Sequence, residues 1–287
     1  MTSMNRGIIY LLTGPAHAAR AVVSLWSLRR HYDGPITLYT THSESHEVGR
    51  RCAADGRLGI EHRATEQVAA RKNSSFLTKV RLVTEAPYDV TAYLDADTVV
   101  AGGIAELLDV SEADQCHVTQ FSDWQTCGRT LRKRINAWRG LRQDRYDPAW
   151  LEGLVDEALR PAPAINSGVV AFRRDAAILG PWRELTEVGR SMFICDEIAL
   201  QLVLPRFPHK VLDCRWNCSP LYGVNRSAAR IWHLHGEKHV SRPACRAIWL
   251  PLYQQCLQAN VAGLAEWAPG ADKRLRRYLE AAKEVVR

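Results

Sequence analysis

Two aspartates stand at the end of an apolar run. In "AYLDADTVVAGG", residues 92–103, a hydrophobic segment stops at Asp95 and Asp97 and then resumes. Two ionised carboxylates held close together repel each other unless a cation lies between them. Hard divalent ions take oxygen ligands and keep positions open for phosphate. The spacing therefore predicts a divalent metal that links the protein to a diphosphate, with a turn of solvated aspartates as the alternative.

A cysteine- and histidine-based zinc site is a second reading of the metal chemistry. The residues that could contribute to it are Cys214, Cys218, His233, His235 and Cys245. The C-x3-C spacing is looser than that of zinc knuckles, and the eight cysteines are otherwise scattered. We therefore favour the aspartate site.

Strands and helices alternate along the segments that must position the aspartates. "GIIYLLTG" predicts a strand that is followed by a stretch with helical spacing of its apolar residues, and "VTAYLDADTVV" and "INSGVVAFRR" predict further strands. Strands joined by helices indicate a mainly parallel α/β sheet. Ligands of such sheets bind at the carboxyl ends of the strands, which is where the two aspartates fall.

Length and composition favour one domain. A chain of 287 residues with 46% hydrophobic and 24% charged residues can bury a substantial core. We predict a single domain over residues 1–287, with an insertion at 122–163 and a helical C-terminal region at 244–287. The opening residues contain no apolar run long enough for a signal peptide or a membrane span, so a cytoplasmic protein without a transmembrane segment is expected.

The insertion is rich in basic and aromatic residues, and the net charge of +7 favours anionic partners. Its basic residues are Arg129, Arg132, Lys133, Arg134, Arg139, Arg142 and Arg145, and its aromatic residues include Trp124, Trp138, Tyr146 and Trp150. This composition suits either a helical lid over an anionic or ring-containing acceptor or a nucleic-acid surface. A solvated basic helix is the third reading.

The chain from "FLTKVRLVTEAPYDVTAYLDADTVV" onward resembles the GT-A glycosyltransferases, and among them family 8, which includes glycogenin and bacterial lipopolysaccharide sugar transferases. Lys79 in "LTK" matches the basic residue that these enzymes carry before the metal strand, and "YLDADTVV" matches the strand itself. The resemblance covers roughly residues 7–240. It implies an α/β fold of the GT-A type, a Rossmann-like mainly parallel sheet with flanking helices and a helical insertion.

Downstream motifs keep the family's order. "INSGVVAF" resembles the strand whose Asn and Ser lie against the donor sugar, which points to Asn166 and Ser167. "CDEIALQ" resembles the segment whose Asp reaches the sugar near the anomeric carbon, which points to Asp196. "RWNCSPLYG" resembles the family's next strand at Asn217.

"HLHGEKH" resembles the family's last motif, whose His is the third metal ligand and whose Lys holds the diphosphate. The three-residue step to Gly236 favours His233 as the ligand over His235, and Lys238 takes the phosphate role. Three features depart from the family: His17 replaces the aromatic residue that stacks on uracil, Glu197 replaces a Gln, and the ending is "KHV".

The resemblance implies a metal-dependent transfer of a hexosyl group, with retention, from a nucleoside diphosphate sugar to an acceptor hydroxyl. We expect a UDP-sugar donor and Mn²⁺ or Mg²⁺ held by Asp95, Asp97 and His233, with catalytic roles for Asp196, Asn166 and Ser167. The residues expected to bind the donor are Leu12, Thr13, His17, Lys79, Asp95, Ala96, Asp97, Asn166, Gly236 and Lys238. The alternatives are a nucleic-acid-modifying glycosyltransferase, a nucleic-acid binder and a nonenzymatic nucleotide-sugar binder.

Overall fold

The computed structural model describes most of the chain, namely residues 4–70, 72–120, 124–141, 147–160, 163–221, 228–235 and 241–271. The strands are β1 Arg6–Leu12, β2 Ile36–Thr40, β3 Glu61–Ala64, β4 Val90–Leu94, β5 Thr98–Val100, β6 Cys116–Gln120, β7 Ile165–Arg173, β8 Lys210–Leu212 and β9 Ile231–His233. The helices are α1 Ala18–Arg29, α2 Ser43–Ala54, α3 Ser74–Thr84, α4 Ala105–Leu108, α5 Trp124–Asn136, α6 Pro148–Ala158, α7 Leu179–Val188, α8 Cys195–Val203, α9 Pro243–Gln258 and α10 Leu264–Ala271.

Seven strands form one sheet in the order β3-β2-β1-β4-β7-β6-β8, and β5 pairs with β9 in a small second sheet. Only β7 of the large sheet runs antiparallel to its neighbours β4 and β6. The prediction of an α/β fold with a mainly parallel sheet and flanking helices is confirmed. Because β1, β2 and β4 are parallel, their carboxyl ends meet at one edge.

Each face of the large sheet is covered by helices. Along β1, the side chains of Ile8, Tyr10 and Leu12 enter one buried cluster, and those of Ile9 and Leu11 enter the other. The first cluster includes residues of α1 and α9, and the second includes residues of α3, α5, α6, α7 and α8. This two-residue alternation is what a strand buried on both faces requires.

The insertion is helical, as predicted, but its apolar side has a structural role. Leu131, Ile135 and Trp138 are buried in the second cluster together with residues of α6. Trp138 has no exposed surface, and a Cβ on Gly189 would lie 2.0 Å from its ring. The interpretation of Trp138 as a stacking residue is therefore wrong, because the 3₁₀ helix Ala137–Gly140, which follows α5, places this ring in the core.

Two other local predictions need correction. "VTAYLDADTVV" is not one strand, because β4 ends before Asp95 and β5 joins a different sheet. "RWNCSPLYG", which resembles a strand of the family, does not begin as a strand, because β8 ends at Leu212 and residues Cys214–Asn217 form a 3₁₀ helix. Hydrogen bonds close a turn at each place: the Thr98 hydroxyl donates to the Asp95 carbonyl oxygen, and the Arg215 N–H donates to the Asp213 carboxylate. Among the described residues, no helix has the length and apolar character that crossing a membrane requires.

Candidate active site

A tight turn presents Asp95 and Asp97 at the carboxyl end of β4. The Asp95 carbonyl oxygen accepts hydrogen bonds from the Thr98 N–H at 3.1 Å and from the Thr98 hydroxyl at 2.8 Å. The Asp95 N–H donates to the Gly168 carbonyl oxygen on β7 at 2.8 Å. These bonds end one strand and begin the next, so both aspartates lie at the ligand-binding edge of the sheet.

His233 reaches the two aspartates through the small sheet. The register of β5 and β9 places it opposite Thr98, and the Leu234 N–H donates to the Asp97 carbonyl oxygen at 3.0 Å. As a result, His233 Nε2 lies 3.3 Å from Asp97 Oδ1 and 3.7 Å from Asp95 Oδ2. Residues far apart in the chain thus share one site.

Asp95, Asp97 and His233 form a candidate metal centre. One ligand atom from each lies within 4.8 Å of the other two. Gly168 leaves room for this approach, because a Cβ there would lie 2.4 Å from Asp95 Oδ2 and 2.5 Å from His233 Cε1. Two carboxylates and one imidazole fit a divalent ion such as Mn²⁺ or Mg²⁺. The alternative cysteine-based cluster does not form among the residues that the structure describes.

The partner of the His233 ring determines which nitrogen faces the aspartates. Asn217 donates through Nδ2 to Thr119 Oγ1 at 2.9 Å and to Asn166 Oδ1 at 3.1 Å, so its Oδ1 is an acceptor. His233 Nδ1 lies 2.9 Å from that Oδ1 and therefore carries the proton. This leaves Nε2 for a metal, an arrangement common to metal-binding histidines. The geometry groups His233, rather than His235, with the aspartates, and the His235 ring stacks on it at 4.4 Å.

A buried ion pair lies directly behind the metal centre. Lys79 Nζ is 2.9 Å from Asp196 Oδ2 and 3.7 Å from Asp95 Oδ1, and it donates to Ser167 Oγ at 2.9 Å. The Ser167 hydroxyl donates in turn to Asp196 Oδ2 at 2.7 Å. Asp196 is only 2% exposed. Lys79 therefore joins the metal centre to the residues expected to contact the sugar.

The charges around Lys79 keep it protonated. Burial alone would lower its pKa, but the carboxylates of Asp196 and Asp95 outweigh burial and raise the pKa above the usual value. The ammonium group also lies 4.8 Å from the centre of the Tyr93 ring, and the Tyr93 hydroxyl donates to Asp95 Oδ1 at 2.8 Å. The positive charge offsets part of the repulsion between neighbouring carboxylates.

Glu197 is a second carboxylate beside the residues that were expected to contact the sugar. Asn166 Nδ2 donates to its Oε2, and Asn166 Oδ1 accepts from the Gly168 N–H at 2.9 Å. Burial and the nearby Asp196 raise the pKa of Glu197 to about 7, while the charges of Lys79 and Arg134 oppose the rise. The site thus contains a group that changes charge near neutral pH.

Glu197→Gln is expected to change the pH dependence of stability. A raised acid pKa means that the folded state loses stability as pH rises from the unfolded pKa, about 4.5, through the folded pKa, about 7. The variant removes this loss and keeps an acceptor for Asn166. It should therefore match the wild type near pH 4 and exceed it near pH 8 by up to about 3 kcal/mol. Urea unfolding across this range measures the difference.

Glu152→Gln, on the exposed side of α6, is the matched control and should leave the pH profile unchanged. Parallel wild-type and Glu197→Gln profiles over the whole pH range would contradict the assignment of a buried titrating carboxyl to Glu197.

A cavity of about 200 Å³ opens next to the metal centre, between the first turns of α1 and α3. Its lining residues are Leu11, Thr13, His17, Arg20, Ser75, Phe76, Lys79, Tyr93, Asp95, Ala96 and Asp97. Thr13, His17, Lys79 and Ala96, which were expected to bind the donor, thus share one cavity with both aspartates. Leu12 does not line it, because the Leu12 side chain points into the first buried cluster.

Arg20 and Phe76 line this cavity without having been singled out from the sequence. Arg20 donates to His17 Nδ1 and to the Ala16 carbonyl oxygen, and only 2% of it is exposed. Because Nδ1 accepts this bond, His17 carries its proton on Nε2. Phe76 precedes Lys79 by three positions on α3, so helical spacing places both on one face. That spacing is the sequence signal that could have identified Phe76.

Some predicted positions are not among the described residues, and two residues of the site were not predicted. Gly236 and Lys238 are outside the described residues, as are Arg142, Arg145 and Tyr146, so their roles stay predictions. Tyr93 was missed although it precedes Asp95 by two positions and shares its face of the strand. Asn217, noted only as part of a motif, is fully buried and orients His233.

The sheet order and the position of the Asp-Asp-His cluster define a fold of the GT-A glycosyltransferase type. Three solved structures support this: galactosyltransferase LgtC in complex with donor and acceptor sugar analogues, the bifunctional glycosyltransferase WbbM, and mouse xyloside xylosyltransferase 1. LgtC superposes with a TM-score of 0.58 at 15% identity, over 87% of this chain and 95% of LgtC.

The other two likenesses are similar in strength. WbbM has a TM-score of 0.56 at 14% identity, over 83% of this chain and 47% of WbbM. The mouse enzyme has a TM-score of 0.53 at 15% identity, over 79% of this chain and 96% of that chain. No family model and no curated protein matches the sequence. At these identities the likeness establishes the fold, and the resemblance inferred from the motifs is confirmed at that level.

Proposed function

We propose that the protein is a metal-dependent glycosyltransferase that moves a hexosyl group from a UDP-sugar to an acceptor hydroxyl with retention of configuration. The observation that carries the proposal is the cluster of Asp95, Asp97 and His233, in which both aspartates also line the cavity between α1 and α3. A phosphate-bearing ligand in that cavity would lie within reach of the metal ligands. The GT-A fold of the chain supports the same chemistry.

Asp95, Asp97 and His233 would hold Mn²⁺ or Mg²⁺, which when bound offsets the negative charge that develops on a departing diphosphate. The protein adds the Lys79 ammonium, which lines the cavity at the same wall. Lys238 is proposed to act on the diphosphate as well, on the basis of its place in the last motif. These groups stabilise the leaving group, whose departure is the costly part of the transfer.

Asp196, Asn166 and Ser167 are proposed to orient the sugar. Breaking the anomeric bond creates positive charge on the sugar carbon, and a fixed carboxylate nearby stabilises that charge. The hydrogen bonds from Lys79 and Ser167 hold the Asp196 carboxylate in place. Such preorganisation matters because the group does not have to reorient during the reaction.

The base of the donor is proposed to lie between the two helical walls of the cavity. On one wall, His17 presents Nε2–H, since Arg20 occupies Nδ1. On the other wall, Phe76 offers an aromatic ring. This ring would stack on uracil, the role of the family's aromatic residue at the position that His17 occupies in this chain. An N–H donor and a ring face suit the carbonyl edge and the plane of uracil.

A donor screen tests the proposal. We expect slow hydrolysis of one UDP-hexose among UDP-glucose, UDP-galactose and UDP-N-acetylglucosamine, with GDP-mannose as the comparison base. Hydrolysis should require Mn²⁺ or Mg²⁺ and stop with a chelator, because the ion stabilises the leaving diphosphate. Release of UDP is the measurement.

Tight metal-dependent binding of the UDP-sugars without hydrolysis or transfer would instead support the nonenzymatic binder. Hydrolysis that continues in the presence of a chelator would contradict the metal-dependent mechanism. Asp109→Asn, an exposed carboxylate paired with Arg6, is the matched control and should leave the rate unchanged.

A further inference from the structure

The loop of residues 189–194 connects α7 to α8 and leads directly into Asp196. Two contacts hold its first half. Asn73 Nδ2 donates to the carbonyl oxygens of Arg190, at 3.0 Å, and Met192. Gly189 lies against the buried Trp138 ring of the insertion. The loop is therefore fixed both to the start of α3 and to the insertion.

The second half of the loop presents an aromatic ring to solvent. Phe193 is 67% exposed, whereas most large apolar side chains of the described residues are buried. The Arg134 guanidinium of the insertion lies 4.9 Å from the centre of its ring. The next residue, Ile194, has φ 46° and ψ 52°, a left-handed conformation that costs energy for a β-branched residue. The backbone thus departs from its preferred geometry at the point where Phe193 faces outward.

A second cavity, of about 480 Å³, adjoins the same loop. It is lined by Ala69, Ala70, Lys72, Arg190 and Ser191, so two of its five lining side chains are cationic. Residues 69–72 directly precede α3, whose first turn lines the donor cavity on the other side. Both cavities are therefore lined by residues at or next to the start of α3, and among the described residues no acidic side chain lines the larger one.

We propose that Phe193, Arg134, Lys72 and Arg190 form the acceptor subsite and that the acceptor is an acidic saccharide. The proposal rests on the proposed function and names the substrate class of that reaction. The exposed face of an aromatic ring suits the apolar face of a sugar, and guanidinium and ammonium groups pair with carboxylate or phosphate. Phe193 lies three residues before Asp196, so the loop that carries the ring leads directly into the residues proposed to orient the donor sugar.

A nucleic acid is the less suitable occupant of this surface. Single-stranded nucleic acids use several aromatic rings in succession along a basic groove. The described loop offers one exposed ring, and Trp138 of the insertion is buried. One ring with cations beside it fits a short acidic glycan.

The test compares three sugars that differ only at C6: glucose, glucuronic acid and glucose 6-phosphate. Binding is measured by ligand-observed NMR in the presence of Mn²⁺ and UDP, which fill the donor cavity, and again without them. We expect at least one acidic sugar to bind about tenfold more tightly than glucose at low salt. The advantage should shrink at high salt because the cations are exposed. The two acidic sugars distinguish carboxylate from phosphate as the recognised group.

Variants assign the effect to the loop. Arg190→Gln combined with Lys72→Gln should remove the preference for the acidic sugar, and Arg190→Lys should retain most of it. Phe193→Ala should weaken the binding of all three sugars by a similar factor. Lys210→Gln removes one positive charge on the edge strand β8, as each single substitution of the double variant does, and should have no effect. All of these residues are exposed, so melting temperatures should stay close to the wild-type value.

Equal binding of the three sugars, or an unchanged preference in the double variant, would overturn the proposal. It would also be overturned if Lys210→Gln lowered binding as much as the double variant, since the effect would then come from net charge. Oligothymidylate is added as a competitor. If it displaced every sugar and if its binding also required Arg190, Lys72 and Phe193, a nucleic acid would be the favoured occupant instead. Failure of the proposed function is recognised separately, as absence of metal-dependent UDP binding.

Discussion

Asp97→Asn is expected to lower metal-dependent donor hydrolysis by roughly 1,000-fold, the scale of losing a group that stabilises charge in the transition state. Asp97 and Asp95 supply the two carboxylates of the candidate metal centre, and His233 Nε2 lies 3.3 Å from Asp97. The amide keeps the shape and an acceptor oxygen but removes the charge that a divalent ion requires. Release of UDP at saturating donor and Mn²⁺ is the measurement.

Metal binding gives a readout that does not depend on activity. An ion that binds only the folded state raises the melting temperature by mass action. We expect Mn²⁺ to raise it for the wild type and to have little effect on Asp97→Asn or Asp95→Asn. Without metal, each variant should melt within a few degrees of the wild type, because it removes one of two like charges from the site.

Asp109→Asn is again the matched control and should respond to Mn²⁺ like the wild type. If either active-site variant kept full activity and the full Mn²⁺ response, the aspartates would not be metal ligands. The carboxylates would then be read as solvated residues of the turn that joins β4 to β5.

Lys79→Met is expected to destabilise the folded protein by about 3–5 kcal/mol, the cost of leaving a buried charge without its partner. Asp196 is 2% exposed and its Oδ2 lies 2.9 Å from Lys79 Nζ. Methionine fills a similar volume but cannot pair with the carboxylate. Urea unfolding and a fall in melting temperature on the order of 10 °C provide the measurement.

The pH dependence of this loss has a definite sign. In the wild type the raised pKa of Lys79 means that its contribution is present below the unfolded pKa, about 10.5, and disappears as pH rises above it. The stability difference between the wild type and Lys79→Met should therefore be fully present at neutral pH and should shrink as pH rises through the folded pKa of Lys79.

A second substitution shows whether the lost stability comes from the broken ion pair or from the packing of the lysine side chain. Lys79→Met combined with Asp196→Asn removes both charges and should recover most of the lost stability. Lys210→Met, at an exposed lysine of β8, should change stability by no more than about 0.5 kcal/mol. A double variant no more stable than Lys79→Met would show that the loss comes from packing around the lysine stem.

Local sequence was sufficient to predict a buried strand that leads into the two aspartates, but not that the strand ends before Asp95. "VTAYL" is apolar throughout because β4 is buried on both faces, and the carboxylates that follow can only lie at its end. The order of motifs also indicated Lys79, Ser167 and Asp196, which the structure joins by hydrogen bonds and an ion pair, and Asn166, which is hydrogen-bonded to Asn217 and Glu197. These predictions depend on neighbouring residues and on the fold type.

Tertiary structure alone decided the features that depend on pairing between distant segments. The motif spacing favoured His233 over His235 as the ligand, but only the register of β9 against β5 places His233 Nε2 beside the aspartates. Trp138 was interpreted as a stacking residue, but its ring is buried in the core against Gly189. Burial and register arise from contacts between segments that are far apart in the chain, and a local pattern of residue types contains no information on which partner a strand or a helix face will meet.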